Sequence, residues 1–268
     1  MSEYKISSSY NDTPVEVQWT DNDLIRTLCT YQLNSDYWQL DPGDPDTPYV
    51  YTFTNDQMIS ELEAHLAVRL ERYGQYLINN DVTKIISVGP GMSTFEAAVA
   101  KLNPNCHICL VDKSEVTYPD KFSYEESPLV FGLPPGYAEW GFRNSYDAIN
   151  DVFSTSGIDS ARYSILDPSE NWSDADVVIS IFSWMWEYPK ETYWEKAMQG
   201  LKTGGKLICT LKFIPDRDVA AEITAVIGSQ PVVIPWLLEN GGIPTPYLPS
   251  LTVVDGVYGG VYVWTKTT

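Results

Sequence analysis

The chain has 268 residues, a length that suits one large domain or one domain with a cap. Its net charge of −19 creates a field that repels phosphate backbones, so nucleic acid is disfavoured as a partner. No run approaches the roughly 20 apolar residues that cross a bilayer. The first residues lack the basic start and apolar stretch of a secretory signal, which predicts a cytoplasmic protein without a membrane partner.

Residues 1–80 are predicted to form a helical extension or cap. We expect residues 1–20 to be irregular, a helix to follow near 21–32, and the Asp-, Pro- and Tyr-rich segment 34–54 to form a loop. A long helix then begins at Thr54 or Asn55, because apolar residues recur at helical spacing from Met58 to Leu77.

From residue 81 onward, apolar strands and amphipathic helices alternate along the chain. Strands are predicted at 84–88, 107–111, 162–166, 176–182 and 206–211, and helices at 93–102, 145–156, 190–201 and 216–228. This alternation is typical of a parallel sheet with helices on both faces.

The last two predicted strands, 251–254 and 261–265, are separated by a short stretch containing Asp255-Gly256 and Gly259-Gly260. We expect them to pair antiparallel, because a parallel crossover needs about a dozen residues or more. The predicted fold of residues 81–268 is therefore α/β and Rossmann-like, with a mostly parallel seven-stranded sheet that ends in a C-terminal antiparallel hairpin.

A glycine turn, Val88-Gly89-Pro90-Gly91-Met92-Ser93, joins the first of these strands to its helix. Glycine has no Cβ, so the backbone can turn sharply and approach a ligand closely. The start of the helix offers N–H groups without partners in the helix. Asp112 ends the next strand, where a carboxylate can accept hydrogen bonds from both hydroxyls of a ribose.

In this order, the features resemble the class I S-adenosylmethionine (SAM)-dependent methyltransferases over roughly residues 81–268. The resemblance implies that the glycine turn holds the amino-acid and ribose part of SAM. Asp112 would bind the ribose, Asp167 would lie beside the adenine amino group, and the end of the fourth strand would face the methyl donor. The implied SAM-binding residues are Gly89, Pro90, Gly91, Ser93, Thr94, Asp112, Lys113, Asp167, Pro168, Phe182, Ser183 and Trp184.

Two further segments carry the resemblance, and two positions depart from it. Residues 201–207 resemble the family's glycine-containing approach to strand five, and the terminal hairpin resembles its reversed last strand. Ser87 stands where the family often has an acid, and Ser93 stands where it has a third glycine. The first change weakens the expected grip on the methionine part, whose carboxylate Ser93 and Thr94 could bind instead. The missing third glycine also disfavours a dehydrogenase.

The acceptor side is predicted from two aromatic segments. The insertion at 113–145 is longer than a simple connection needs and is interpreted as an acceptor pocket or lid, with an aromatic mini-core or oligomer contact as the alternative. After strand four, Trp184 and Trp186 offer aromatic faces that suit a sulfonium, or else they pack. Glu187 or Tyr188 is the candidate catalytic group that takes the proton of the acceptor, although Glu187 could equally be a solvated charge.

The sequence does not indicate a catalytic histidine, a cysteine-based zinc site or a metal centre. Neither His65 nor His107 makes a convincing general base. Cys106 and Cys109 have CxxC spacing, but no second pair completes a zinc site, so a buried strand is the preferred interpretation. No catalytic metal is predicted.

The leading hypothesis is methyl transfer from SAM to an oxygen or nitrogen of a small-molecule acceptor. An RNA or cap methyltransferase within a larger assembly is one alternative, although Ile181-Phe182-Ser183 lacks the strand-four Asp that would pair with Lys212 in the ribose 2′-O-methyltransferases. A degenerate SAM-binding subunit without catalysis is the other. The oligomeric state is left open.

Overall fold

The structure is a computed structural model that describes residues 3–21, 54–112, 145–167, 169–181, 183–185, 189–211, 218–235, 253–254, 257–258 and 260–267. Several predictions fall outside these ranges. They concern the helix at 22–32, the loop at 34–53, the insertion at 113–144, the segment 236–252, and the residues Lys113, Pro168, Phe182, Trp186, Glu187, Tyr188 and Lys212.

Eleven strands and five α-helices lie in the described ranges. The strands are β1 (Glu3–Tyr10), β2 (Thr13–Thr20), β3 (Lys84–Val88), β4 (His107–Val111), β5 (Tyr163–Leu166), β6 (Ala175–Ser180), β7 (Leu201–Thr210), β8 (Val232–Pro235), β9 (Val253–Val254), β10 (Val257–Tyr258) and β11 (Gly260–Thr265). The helices are α1 (Asn55–Leu77), α2 (Thr94–Leu102), α3 (Ser145–Thr155), α4 (Trp194–Gly200) and α5 (Val219–Ile227).

Seven strands form the central sheet in the order β5-β4-β3-β6-β7-β11-β8. Strands β3 to β7 pair in parallel, and β11 runs antiparallel to both of its neighbours, β7 and β8. The prediction of a mostly parallel seven-stranded sheet with antiparallel strands at its end is confirmed.

The predicted partner of the last strand is wrong. Val261 to Val263 pair with β8 at Ile234 to Val232, whereas Val253–Val254 pairs with Val257–Tyr258 in a separate two-stranded ladder. Short spacing along the chain does require antiparallel pairing, but it does not choose the partner. The apolar β8 offers a longer ladder than a two-residue strand, so the reversed strand pairs with β8.

The N-terminal residues form a hairpin, so the expectation that residues 1–20 are irregular is also wrong. Strands β1 and β2 pair antiparallel from Glu3 and Thr20 to Tyr10 and Thr13. Asn11 and Asp12 form the turn with φ of 47° and 61°, as two-residue hairpins require. One face of β2 is buried through Val15, Val17 and Trp19, and it packs on the same core as α1. The described part of the extension is therefore a hairpin together with a helix.

Helix α1 follows its predicted pattern. A capping box closes its start, because Gln57 donates its backbone N–H to Thr54 Oγ1 (3.3 Å) and Thr54 donates its own to Gln57 Oε1 (3.0 Å). Its buried residues are Met58, Leu62, Leu66, Leu70, Tyr73, Gly74 and Leu77. In the described part of the chain, no helix combines the length and the apolar character needed to span a membrane.

The helices cover both faces of the sheet, as predicted. Residues of α1, α2 and α3 belong to one buried cluster, and residues of α4 and α5 belong to the other. The helix that follows β3 therefore lies on the opposite face from the helix that follows β6. Ligands of open α/β sheets bind in the crevice that such a reversal opens at the carboxyl ends of the strands. A ligand site is therefore expected at the carboxyl ends of β3 and β6.

Candidate functional site

The glycine turn holds three residues in the left-handed region of backbone conformation. Gly89, Gly91 and Ser93 have φ of 65°, 59° and 61°. A Cβ added to Gly89 would lie 1.9 Å from Ser183 Oγ and 2.4 Å from Ser183 Cβ. Glycine is therefore required at 89 for its conformation and for its space, and the turn touches the residues that follow β6.

Ser93 has a left-handed backbone conformation although it is not a glycine. A left-handed residue with a Cβ costs about 1–2 kcal/mol. The Ser93 side chain is 0% exposed, and its hydroxyl makes no hydrogen bond within the described ranges. Ser93 thus has a backbone conformation that glycine adopts readily, and it adds a buried hydroxyl to the turn.

Ser87, the other departure, is joined to a carboxylate from the next helix. Its hydroxyl donates to Glu96 Oε1 over 2.7 Å, and both residues are buried. Burial raises the pKa of Glu96, against the opposing effects of the Ser87 hydrogen bond and the charge of Arg69. The second oxygen, Oε2, is buried and has no hydrogen-bond partner among the residues described. The side chain of Glu96 therefore places a carboxyl group beneath the turn, although position 87 does not supply one.

Asp112 and Asp167 follow the neighbouring strands β4 and β5 at the same edge of the sheet. Asp112 is half-buried and donates its backbone N–H to Leu166 O (3.4 Å), whereas Asp167 is exposed. The Asp167 carboxylate accepts the backbone N–H of Ser169 over 2.8 Å. The structure brings these two predicted carboxylates together at the carboxyl edge, on the β4 side of the glycine turn.

Two tyrosines that the sequence reasoning missed border this space. Tyr146 on α3 donates its hydroxyl to the backbone oxygen of Asp112 over 2.8 Å. Burial raises the pKa of Tyr146 and of Tyr193, and the charges of Asp112 and Asp167 raise both further. Tyr146 therefore contacts Asp112 directly, whereas Tyr193 packs against Trp172 and Trp184.

Trp184 is anchored in the core beneath the site. It is 0% exposed, its backbone N–H donates to Ser180 Oγ (2.9 Å), and its indole Nε1 donates to Lys190 O (2.9 Å). Its ring meets Tyr193 edge-on, with centroids 5.9 Å apart. These contacts favour the packing interpretation of Trp184, whereas Ser183 stays half-exposed beside Gly89.

His107 and the three cysteines of the described ranges lie outside this arrangement. His107 begins β4, at the opposite edge, where its ring nitrogens lie 3.1 Å from Ala161 O and from Ser164 Oγ. Cys106, Cys109 and Cys209 are buried free thiols, and burial raises the pKa of Cys106 to about 12. Thiols of this kind are inert at neutral pH. Within the described ranges, no group of three or more His, Cys, Asp or Glu side chains could hold a metal.

A cavity of about 380 Å³ lies at the amino ends of the strands and is lined in part by Asp176 and Lys202. Asp176 is fully engaged there, because it accepts the backbone N–H groups of Thr83 and Lys84 and binds Lys202 Nζ at 2.8 Å. Open α/β sheets bind ligands at the opposite, carboxyl ends. We therefore place the candidate site at the glycine turn and not in this cavity.

The residues at the carboxyl edge fit a SAM molecule. Gly89 and Gly91 leave a cradle of backbone without side chains, and Asp112 and Asp167 place carboxylates on one side of it. Ser93 Oγ and Glu96 Oε2 add two buried polar atoms that a ligand could satisfy. The spacing of Ser93-Thr94-Phe95-Glu96 in the sequence predicts a helix cap and not a ligand contact for Glu96, and the two tyrosines carry no spacing signal.

Comparisons with known proteins return structural neighbours only. No family model and no curated protein matches the chain. The mitomycin 7-O-methyltransferase MmcR is 14% identical, with 64% of this chain and 44% of that chain covered and a TM-score of 0.36. The SAM-dependent methyltransferase SibL in its apo form is 14% identical, with 90% of this chain and 70% of that chain covered and a TM-score of 0.41. StiE O-MT is 10% identical, with 79% of this chain and 76% of that chain covered and a TM-score of 0.47.

The chain spans less than half the length of MmcR, and at such low identity the likeness to these structures concerns the architecture alone. The order of the seven strands, the reversed β11 and the helices on both faces are features of this chain itself. They give the chain a Rossmann-like α/β fold with a reversed last strand, the architecture that its sequence predicts.

Proposed function

We propose that the protein binds SAM at the carboxyl edge of its sheet and transfers the methyl group to an oxygen or nitrogen of a small-molecule acceptor. One observation carries the proposal. The left-handed glycine turn and the carboxylates of Asp112 and Asp167 converge on the edge where β3 and β6 send their helices to opposite faces. That crevice is the ligand site of open α/β sheets.

Each part of the donor has residues that suit it. Asp112, with the adjacent Lys113, would hold the ribose hydroxyls, and Asp167, with Pro168, would lie beside the adenine amino group. Gly89, Pro90 and Gly91 would let the backbone approach the ribose and the methionine part. Ser93 and Thr94 would face the methionine end from the start of α2.

Bound SAM supplies an activated methyl group on a sulfonium. The task of the protein is to align the acceptor with that group and to exclude water. Phe182 and Ser183, which follow β6, would border the sulfonium, and Gly89 leaves room for Ser183 there. Glu187 or Tyr188 would take the proton that the acceptor releases.

A small and uncharged or cationic acceptor agrees best with the net charge of −19. The aromatic residues of the segment 113–145 would form its pocket or lid. An RNA acceptor would need a basic surface from a partner. The non-catalytic alternative rests on Ser87 and Ser93, and it is weakened because Glu96 supplies a carboxylate beneath Ser87 and Ser93 keeps the glycine conformation.

Calorimetric titration with SAM tests the binding step. We expect the parent protein to bind with a dissociation constant well below millimolar. Asp112→Ala should weaken binding by at least about 10- to 100-fold, because the loss of even one hydrogen bond to a charged group costs about 1.5–3 kcal/mol. Asp147→Ala, an exposed change on α3, is the matched control and should bind as the parent does. Equal binding by Asp112→Ala would refute the ribose assignment.

Transfer of a labelled methyl group tests the reaction. The protein is incubated with labelled SAM and either a metabolite extract or total RNA, and the label is followed into each fraction. We expect label in the small-molecule fraction. Label in RNA would show that the acceptor is RNA and not a small molecule. Binding of SAM without any methyl transfer would leave only the non-catalytic alternative.

A further inference from the structure

The start of α2 does not adopt the cap that its own sequence encodes. Ser93-Thr94-Phe95-Glu96 has the spacing of a capping box, in which the serine and the acid each bind a backbone N–H of the other. Ser93 instead has a φ of 61° and makes no side-chain cap, while Glu96 turns to the hydroxyl of Ser87. Thr54 and Gln57 at the start of α1 show that this chain does form such a box elsewhere.

The open cap leaves two buried polar atoms of the first turn of α2 unsatisfied. Ser93 Oγ and Glu96 Oε2 are both buried and have no hydrogen-bond partner in the part of the chain that the structure describes. The two residues are 0% and 7% exposed. Orphaned buried polar atoms and a left-handed serine are both unfavourable, and such strain clusters where a ligand relieves it.

The chemistry of the two atoms is complementary. The Ser93 hydroxyl lies beside the first N–H groups of a nine-residue helix, and hydroxyls and helix N-termini donate hydrogen bonds to anions. Burial raises the pKa of Glu96 and disfavours its charged form, so a cation beside Glu96 Oε2 would stabilise the ionised carboxylate, which can then only accept hydrogen bonds. Ser87 holds the other oxygen of the same carboxylate at 2.7 Å and so fixes its direction. A neighbouring anion site and cation site match an α-amino-carboxylate group.

We propose that Ser93 and Glu96 bind the amino-acid end of the donor, with Glu96 accepting hydrogen bonds from the ammonium and Ser93 donating to the carboxylate. Ser87 acts as a positioning residue for Glu96. Glu96 thereby takes over, from the first turn of α2, the acidic role that position 87 does not supply. This inference rests on the proposed binding of SAM.

Two nucleoside probes isolate the subsite. S-adenosylhomocysteine carries the amino-acid end, whereas 5′-methylthioadenosine has the same adenosine and thioether without it. We expect Glu96→Gln to weaken S-adenosylhomocysteine binding by about 10- to 100-fold, as expected for a lost charge-assisted hydrogen bond, and to leave methylthioadenosine within about twofold. The matched control Glu195→Gln, on the exposed face of α4, should change neither affinity.

Ser87→Ala provides a second variant, because it leaves Glu96 intact and removes the hydrogen bond that fixes the direction of its carboxyl group. It should lower the affinity for S-adenosylhomocysteine selectively, and by less than Glu96→Gln does. An equal loss for both probes, or no loss for either, would overturn the subsite while leaving the proposed function in place. Failure of the parent protein to bind either probe would overturn both.

Discussion

The contact between the glycine turn and the residues after β6 can be tested by a pair of substitutions. Gly89→Ala introduces a Cβ 1.9 Å from Ser183 Oγ and 2.4 Å from Ser183 Cβ, at a φ of 65°. The next atom, Ser183 Cα, lies at 3.9 Å, which is an ordinary contact. Ser183→Gly therefore removes both close contacts and leaves only the backbone strain.

The two contributions have separate magnitudes. The left-handed conformation costs alanine about 1–2 kcal/mol, and overpacking costs about 1–3 kcal/mol. Gly89→Ala alone should therefore destabilise the protein by about 2–5 kcal/mol. In the Ser183→Gly background the same change should cost only the backbone part, so the coupling between the two sites is about 1–3 kcal/mol.

Urea denaturation of the parent, both single variants and the double variant gives this coupling from a double-mutant cycle. A cost of Gly89→Ala that is the same in both backgrounds would show that the turn does not touch Ser183. That result would remove the geometric basis of the candidate site, because the crevice requires the ends of β3 and β6 to be adjacent.

Three further predictions concern the neighbouring residues. Burial raises the pKa of Glu96 above its ordinary value of 4.5, so its contribution to stability is full below pH 4.5 and is lost as the pH rises through the folded-state pKa. Without ligand, Glu96→Gln should therefore gain stability relative to the parent as the pH rises above 4.5 in urea titrations. A parent that became more stable than Glu96→Gln over the same rise in pH would contradict the buried carboxyl group. Ser93→Gly should be more stable than Ser93→Ala by up to about 1 kcal/mol, because relief of the left-handed strain exceeds the entropic cost of glycine; at an ordinary φ the order would be reversed. Trp184→Phe should lower the free energy of unfolding by about 1–3 kcal/mol, because it removes buried volume and the hydrogen bond to Lys190 O. The same variant should bind SAM in calorimetry as tightly as the parent does. A weaker affinity would show that Trp184 contributes to the ligand site.

The alternating part of the chain was predictable because its patterns are local. Short, mainly apolar segments followed by a helical pattern indicate parallel strands without information from the rest of the chain. Examples are Lys84–Val88 and His107–Val111. The site carboxylates Asp112 and Asp167 followed from the same logic, because strand ends are fixed once the strands are known.

The elements that were mispredicted depend on pairing at a distance or on turn chemistry. The pairing of β11 with β8 joins segments separated by more than 20 residues of chain, and no local pattern encodes it. The N-terminal hairpin did carry a signal, because Val15, Val17 and Trp19 alternate after the Asn11-Asp12 turn. The role of Glu96 was hidden since its spacing predicts a helix cap, which the left-handed Ser93 prevents.

A crystal structure of the protein with S-adenosylhomocysteine bound is the most direct test of the central claim. We predict both ribose hydroxyls within hydrogen-bond distance of the Asp112 carboxylate and the amino-acid end at Ser93 and Glu96. Density for the nucleoside at another place, such as the cavity beside Asp176 and Lys202, would contradict the account.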